Sequence, residues 1–209
     1  MPVADVFLLS PAFCGGKRGA VLLKDGGTSA PAQQLAAGAM SLGAAFSFVS
    51  GLYFRGKLAY ATHFTAEHDW PAVFVITPTR GLQPPDLPVD GALLREFVGV
   101  DLASGDARYL GPLLRDLQDL VGGLEPGARV VLLGSVATPK YLEPIADVLG
   151  ERLCFPRDFV GRGDMSRGAL LLQSVEADRE LEYVPFSAEV TRRGPRAPGV
   201  AKSRPRRRA

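Results

Sequence analysis

The sequence predicts an α/β fold, a mostly parallel sheet flanked by helices in a Rossmann-like three-layer arrangement, followed by a disordered basic C-terminal tail. Three observations carry this expectation. Short apolar runs rich in branched residues recur along the chain, and two of them are unbroken rather than alternating, as strands covered on both faces are. Segments with helical periodicity lie between them, which favours parallel strands joined by crossover helices. After about Val190 the chain turns to Pro, Gly and Arg with almost nothing to bury. The expected organisation is one domain over residues 1–190 and a tail over 191–209.

The strands are expected at Val6 to Leu9, Val73 to Ile76, Val130 to Leu133 and Leu153 to Phe155. A further strand is expected over Ala169 to Ser174, after a glycine-rich loop from Gly161 to Gly168. Helical patterns cover Leu52 to Phe64, Leu110 to Val121 and Thr138 to Leu149. In the first, Phe54, Leu58, Tyr60 and Ala61 fall near one stripe, with Arg55 and Lys57 elsewhere. In the second, Leu113, Leu114, Leu117, Leu120 and Val121 form the stripe and Asp116 and Asp119 lie off it. The third has Thr138 as N-cap, Pro139 in the first turn and Gly150 at the C-terminal end. Residues 77–92 carry four prolines and are expected to form an ordered, irregular loop, a type that is often functional.

Composition narrows the class. At 46% hydrophobic and 22% charged residues, a chain of 209 can bury a core without disulfides or metals. Cys14 and Cys154 are far apart in the chain, each beside an apolar run, and read as reduced thiols, which favours the cytoplasm. The N-terminus lacks the basic start of a secretory signal. Residues 26–54 carry no charge and are long enough to span a bilayer, but small residues dominate them; a membrane span is not expected, and buried and interfacial readings both stay open. The tail holds eight basic residues and no acidic one, leaving 16 basic against 22 acidic residues in the remainder. Only the tail is a polyanion binder by charge, and it could hold nucleic acid through its phosphates.

In an open parallel sheet, ligands bind beyond the carboxyl ends of the strands. The residues that follow the strands here are Ser10, Cys14, Gly15, Gly16 and Lys17; Thr77, Thr79 and Arg80; Gly134, Ser135 and Lys140; and the segment GRGDMSRG. Each loop joins glycine or a small hydroxyl to a cation. Gly15 and Gly16 beside Lys17 could form an anion nest or an ordinary turn, and the spacing is not that of a P-loop. Within GRGDMSRG, Asp164 could anchor a ligand or act as general acid or base while Arg162 and Arg167 hold an anion; equally, the Asp–Arg pairs could only fix a turn. His63 and His68 are five apart, neither cysteine has a CxxC partner, and no G-x-S-x-G elbow is present. No metal or cofactor site is therefore expected, while a Ser–His–Asp triad stays open without an elbow motif to support it. Tyr53 and Trp70 read as packing residues.

Three segments, LLSPAFCGGK, GLYFRGKLAYATHF and VITPTRGLQPPD, resemble in order a group of poorly characterised bacterial proteins related to the peroxide-stress protein YaaA. Tyr53, Phe54, Arg55 and Lys57 stand in the group's helix pattern, and Arg80, Gly81 and Leu82 in its loop pattern. The resemblance covers about the first 90 residues and the LLGS strand; GRGDMSRG has no counterpart in it. It implies association with DNA or nucleobases, with no agreed catalytic mechanism, and adds Arg55 to the candidate ligand-binding residues. The expectation is a protein that handles a nucleotide, a nucleobase, a nucleic acid or another phosphate-containing molecule in a strand-end pocket, with an enzyme acting at a glycosidic or phosphate bond as one form of it. The alternatives are a non-enzymatic DNA- or RNA-associated protein using its tail, and an interaction scaffold.

Overall fold

The computed structural model describes residues 5–65, 71–102, 105–134 and 139–186, without the side chains of residues 139–141. His68, Trp70, Ser135, Thr138, the Lys140 side chain and the tail over 191–209 lie outside the described residues. Four strands, β1 (Val6–Leu9), β3 (Val73–Ile76), β6 (Val130–Leu133) and β7 (Leu153–Pro156), form the parallel centre of a six-stranded sheet. Its order is β4-β3-β1-β6-β7-β8, closed at the edges by the short antiparallel strands β4 (Leu82–Gln83) and β8 (Tyr183–Pro185). A separate two-stranded ladder pairs β2 (Met40–Ser41) with β5 (Pro88–Val89). The proline-rich loop thus contains two minimal strands.

The central strands are buried on both faces, which is why they read as unbroken apolar runs. Along β1, Phe7 and Leu9 face one layer, while Val6 and Leu8 face the other. The first layer contains α3 (Leu42–Ser50), α4 (Leu52–Phe64) and α8 (Asp164–Glu176). The second contains α6 (Ala107–Gly123) and α7 (Pro139–Leu149), which present Tyr109, Leu113 and Leu117, and Leu142, Ile145 and Leu149. The remaining helices are α1 (Lys17–Leu22), α2 (Ala30–Ala36) and α5 (Gly91–Val98). This is the predicted three-layer α/β arrangement. The uncharged residues 26–54 hold α2, β2, α3 and the start of α4, and no described helix is long and apolar enough to cross a membrane.

Two expectations need correction. Ala169 to Ser174 is not a strand but the middle of α8, and the helix begins at Asp164, inside the segment expected to be loop. Its buried positions, Arg167, Gly168, Leu171 and Ser174, recur at helical spacing, but only one of them is a large aliphatic residue. Lys57 does not lie off the core stripe of α4. It is buried between Tyr53 and Phe54 one turn before it and Tyr60 and Ala61 one turn after.

The far end of α4 is tied to the sheet edge by a polar knot. The Leu181 N–H donates to the Tyr60 hydroxyl at 2.8 Å, and the Tyr60 and Tyr183 hydroxyls lie 2.7 Å apart. Tyr60→Phe strips both partners at once. It should cost about 1–3 kcal/mol in urea denaturation, the range for leaving a buried polar group unpaired.

Candidate functional site

Strand β1 is followed in sequence by its neighbour β3 on one side, and the chain then crosses back to β6 on the other. The main helix of the first crossover, α4, packs on one face, while α6 and α7, which follow, pack on the opposite face. The strand order therefore reverses between β1 and β6. The carboxyl ends of these two strands, residues 9–10 and 133–134, are where such a sheet opens a crevice. Ser10 stands there, half-buried, its N–H donating to the Leu133 carbonyl at 3.1 Å. Gly134 faces it so closely that a Cβ would lie 2.9 Å from the Ser10 Cβ and 3.2 Å from its Oγ. Glycine here leaves the serine its place.

Behind Ser10 lies Lys57. Its side chain is 1% exposed, and its Nζ donates to the Ser10 carbonyl at 2.6 Å and meets the Ser10 Oγ at 2.9 Å. The Tyr53 and Phe54 rings flank the amine, each centroid 4.7 Å away. Burial disfavours the ammonium and brings the Lys57 pKa down to about 7, against an opposing pull from the Asp164 carboxylate. Lys57 is thus poised between amine and ammonium near neutrality.

Helix α8 supplies the other wall. Gly56 and Gly168 let α4 and α8 touch backbone to backbone: a Cβ on Gly56 would meet the Gly168 carbonyl oxygen at 2.7 Å, and one on Gly168 would meet the Tyr53 Cα at 2.8 Å. This contact brings the first turn of α8 to Tyr53 and Lys57. Arg167 is buried, donates from Nε and Nη2 to the Phe159 carbonyl at 3.2 and 3.1 Å, and reaches Asp164 at 3.5 Å. The Asp164 carboxylate is itself largely exposed. Arg162 is half-buried; its Nη1 donates to the Ser166 hydroxyl at 3.1 Å, while its buried Nε has no partner among the described residues. The Tyr53 hydroxyl is also buried and meets no hydrogen bond of good geometry among the described residues. Burial pushes its pKa up to about 12, and Arg167 is close enough to offset part of that effect without reaching hydrogen-bonding geometry.

The structure brings together Ser10, Gly134, Asp164 and Arg167, and adds Lys57 and Tyr53. Arg162 stands beside this group through Ser166 in the first turn of α8, and the other described candidates lie elsewhere. Thr77 is buried, donates to the Gly81 carbonyl at 2.9 Å and accepts from the Arg80 N–H at 3.0 Å, so it shapes its own turn. Arg80 forms a two-point pair with Glu96, which Thr79 also contacts, beside a separate groove lined by Gln83, Leu93 and Arg115. Arg55 is two residues from Lys57 and exposed on the outer side of α4, in a groove with Ser47 and His63; His63 is paired with Asp178 at 2.7 Å. Lys17 is exposed at the start of the six-residue α1, and Cys14 is buried, its thiol pushed up to about 11 by burial. Neither the nest reading of Gly15 and Gly16 nor a ligand-binding Cys14 gains support. The expected convergence of all four strand-end loops is replaced by a pairing of β1 and β6 with helices α4 and α8.

Lys57 is the main residue that sequence reasoning missed. Its signal was present: a lysine with aromatic residues at i−4, i−3 and i+3 sits on the core face of any helix that the segment forms. Phe13 is the second, three residues beyond Ser10 and 74% exposed although large and apolar. No family model, curated protein or solved structure matches this chain.

Proposed function

We propose that the protein handles a nucleotide or nucleobase in the crevice at the ends of β1 and β6. The observation that carries this reading is the buried Lys57 amine, held against Ser10 at the point where the strand order reverses. Burying an amine there costs stability that a neutral side chain would not cost, which is the mark of a site rather than a scaffold. Around it, Arg162 and Arg167 supply positive charge for a phosphate, and the exposed Phe13 ring offers a face for a base. Asp164 limits the net positive charge and suits a singly charged or base-like ligand better than a polyphosphate.

The test is a thermal-shift series on the full chain with nucleobases, nucleosides and nucleoside monophosphates. A ligand at about 100 times its Kd adds about 2.7 kcal/mol, which raises Tm by roughly 5–10 °C in a chain of this size. The shift should vanish in Arg162→Ala and survive in Arg55→Ala, because Arg55 lies on the far side of α4. A panel with no shift, or a shift lost equally in both variants, speaks against the reading. A second reading, nucleic-acid binding through the tail, is favoured by its eight basic residues with no acidic one. Deleting residues 191–209 should then abolish salt-sensitive retardation of DNA or RNA, and full retention would exclude that role.

A further inference from the structure

We propose that Ser10 is a nucleophile and Lys57 its general base, acting on the phosphoryl group of a ligand in the β1–β6 crevice. The choice of a phosphoryl group rests on the nucleotide reading above; the nucleophile–base pair itself rests on geometry. Lys57 Nζ is 2.9 Å from Ser10 Oγ, within the range for direct proton transfer. At 1% exposure the amine cannot meet a ligand, so it acts through the one reactive group it touches, whereas Ser10 is half-buried at the mouth of the crevice. A structural tether to the Ser10 carbonyl alone would be served by a neutral amide, without the cost of burying an ionisable amine. The buried Tyr53 hydroxyl beside the pair keeps its proton throughout the neutral range.

The step balances as follows. The Ser10 Oγ proton passes to neutral Lys57 as Oγ bonds to phosphorus and the bond from phosphorus to the leaving oxygen breaks. The leaving oxygen takes a proton from water in the crevice, and Lys57 holds the serine proton as its ammonium. Water then attacks the phosphoserine and releases its proton to solvent, while the Lys57 ammonium returns the serine proton to Ser10 Oγ as the Oγ–P bond breaks. The net reaction is hydrolysis of one phosphate ester bond.

The full chain is incubated with an alkyl phosphonofluoridate, which phosphonylates an activated serine with loss of fluoride; intact mass and peptide mapping read the adduct. One adduct per chain at Ser10 is expected, with none in Ser10→Ala. Labelling should be about 10²–10⁴-fold slower in Lys57→Met, the usual contribution of a general base. The groups facing Lys57 are Ser10 just after β1, the Tyr53 and Phe54 rings on its own helix, and Asp164 on α8. With the amine titrating at about 7, the labelling rate should rise about tenfold from pH 6 to pH 8.

An adduct mapping to Ser166, no adduct at any pH, or undiminished labelling in Lys57→Met overturns the proposal. Should Lys57→Met not fold, a flat pH profile of the natural chain overturns it instead. A nucleoside monophosphate that slows labelling ties the pair to the nucleotide reading. Thermal shifts without an adduct leave binding and remove the nucleophile. An adduct that no nucleotide slows leaves the nucleophile and removes the nucleotide.

Discussion

Between pH 7 and pH 9 the protein should gain about 2 kcal/mol of stability that the Lys57→Met variant does not gain. In the unfolded chain the amine titrates near its ordinary value of 10.5, but burial lowers it to about 7 in the folded chain. Over this window the unfolded state binds more protons than the folded state, so stability rises with pH. The full penalty, roughly 5 kcal/mol, is present below pH 7 and disappears only above 10.5. Higher pH brings the opposite slope, because Cys14 and Tyr53 are held up to about 11 and 12 and favour ionisation of the unfolded chain. Urea titrations at pH 7, 8 and 9 isolate the lysine. Lys57→Met should also be more stable than the natural chain at pH 7, since methionine fills similar space without the desolvation cost. Equal pH slopes for the two proteins would mean that water reaches the amine.

The fold was largely legible because its central strands announce themselves. Val6–Leu9, Val73–Ile76 and Val130–Leu133 lie where apolar runs without alternation place them, and α6 carries a strong amphipathic stripe. What the sequence concealed shares one cause: core positions filled by residues that do not look like core. The inner face of α8 is Arg167, Gly168, Leu171 and Ser174, so ALLLQS reads as a strand when the arginine and glycine are assigned to a loop. Lys57 was placed outside the α4 stripe because a lysine is seldom fully buried, although its flanking aromatics are on that stripe. The site was legible in half. Ser10 and Gly134 follow from the rule that ligands sit at strand ends, and Asp164, Arg162 and Arg167 from an unusual local composition. Arg80 and Thr77 satisfy the same rule yet are committed to Glu96 and to a turn, which only the tertiary partners reveal.

The second large effect is expected at the helix contact that assembles this site. The glycines in GRGDMSRG do different work, and substitution separates them. Gly163 has open space where a Cβ would go and an ordinary backbone, so Gly163→Ala should change stability by less than about 0.5 kcal/mol. Gly168 meets only backbone, with the Leu52 carbonyl oxygen and the Tyr53 Cα each at 2.8 Å from a Cβ built on it. No side chain can rotate away to relieve that overlap, so Gly168→Val must push α8 off α4. Overpacking against rigid backbone lies at the upper end of the usual range, about 3 kcal/mol, or a fall in Tm of roughly 6–12 °C for a chain of this length. The same displacement separates Asp164 and Arg167 from Tyr53 and Lys57, so ligand-induced thermal shifts should fall together with stability. An unchanged Tm in Gly168→Val would show that the two helices do not meet at these glycines, and the wall that α8 gives the crevice would have to be withdrawn.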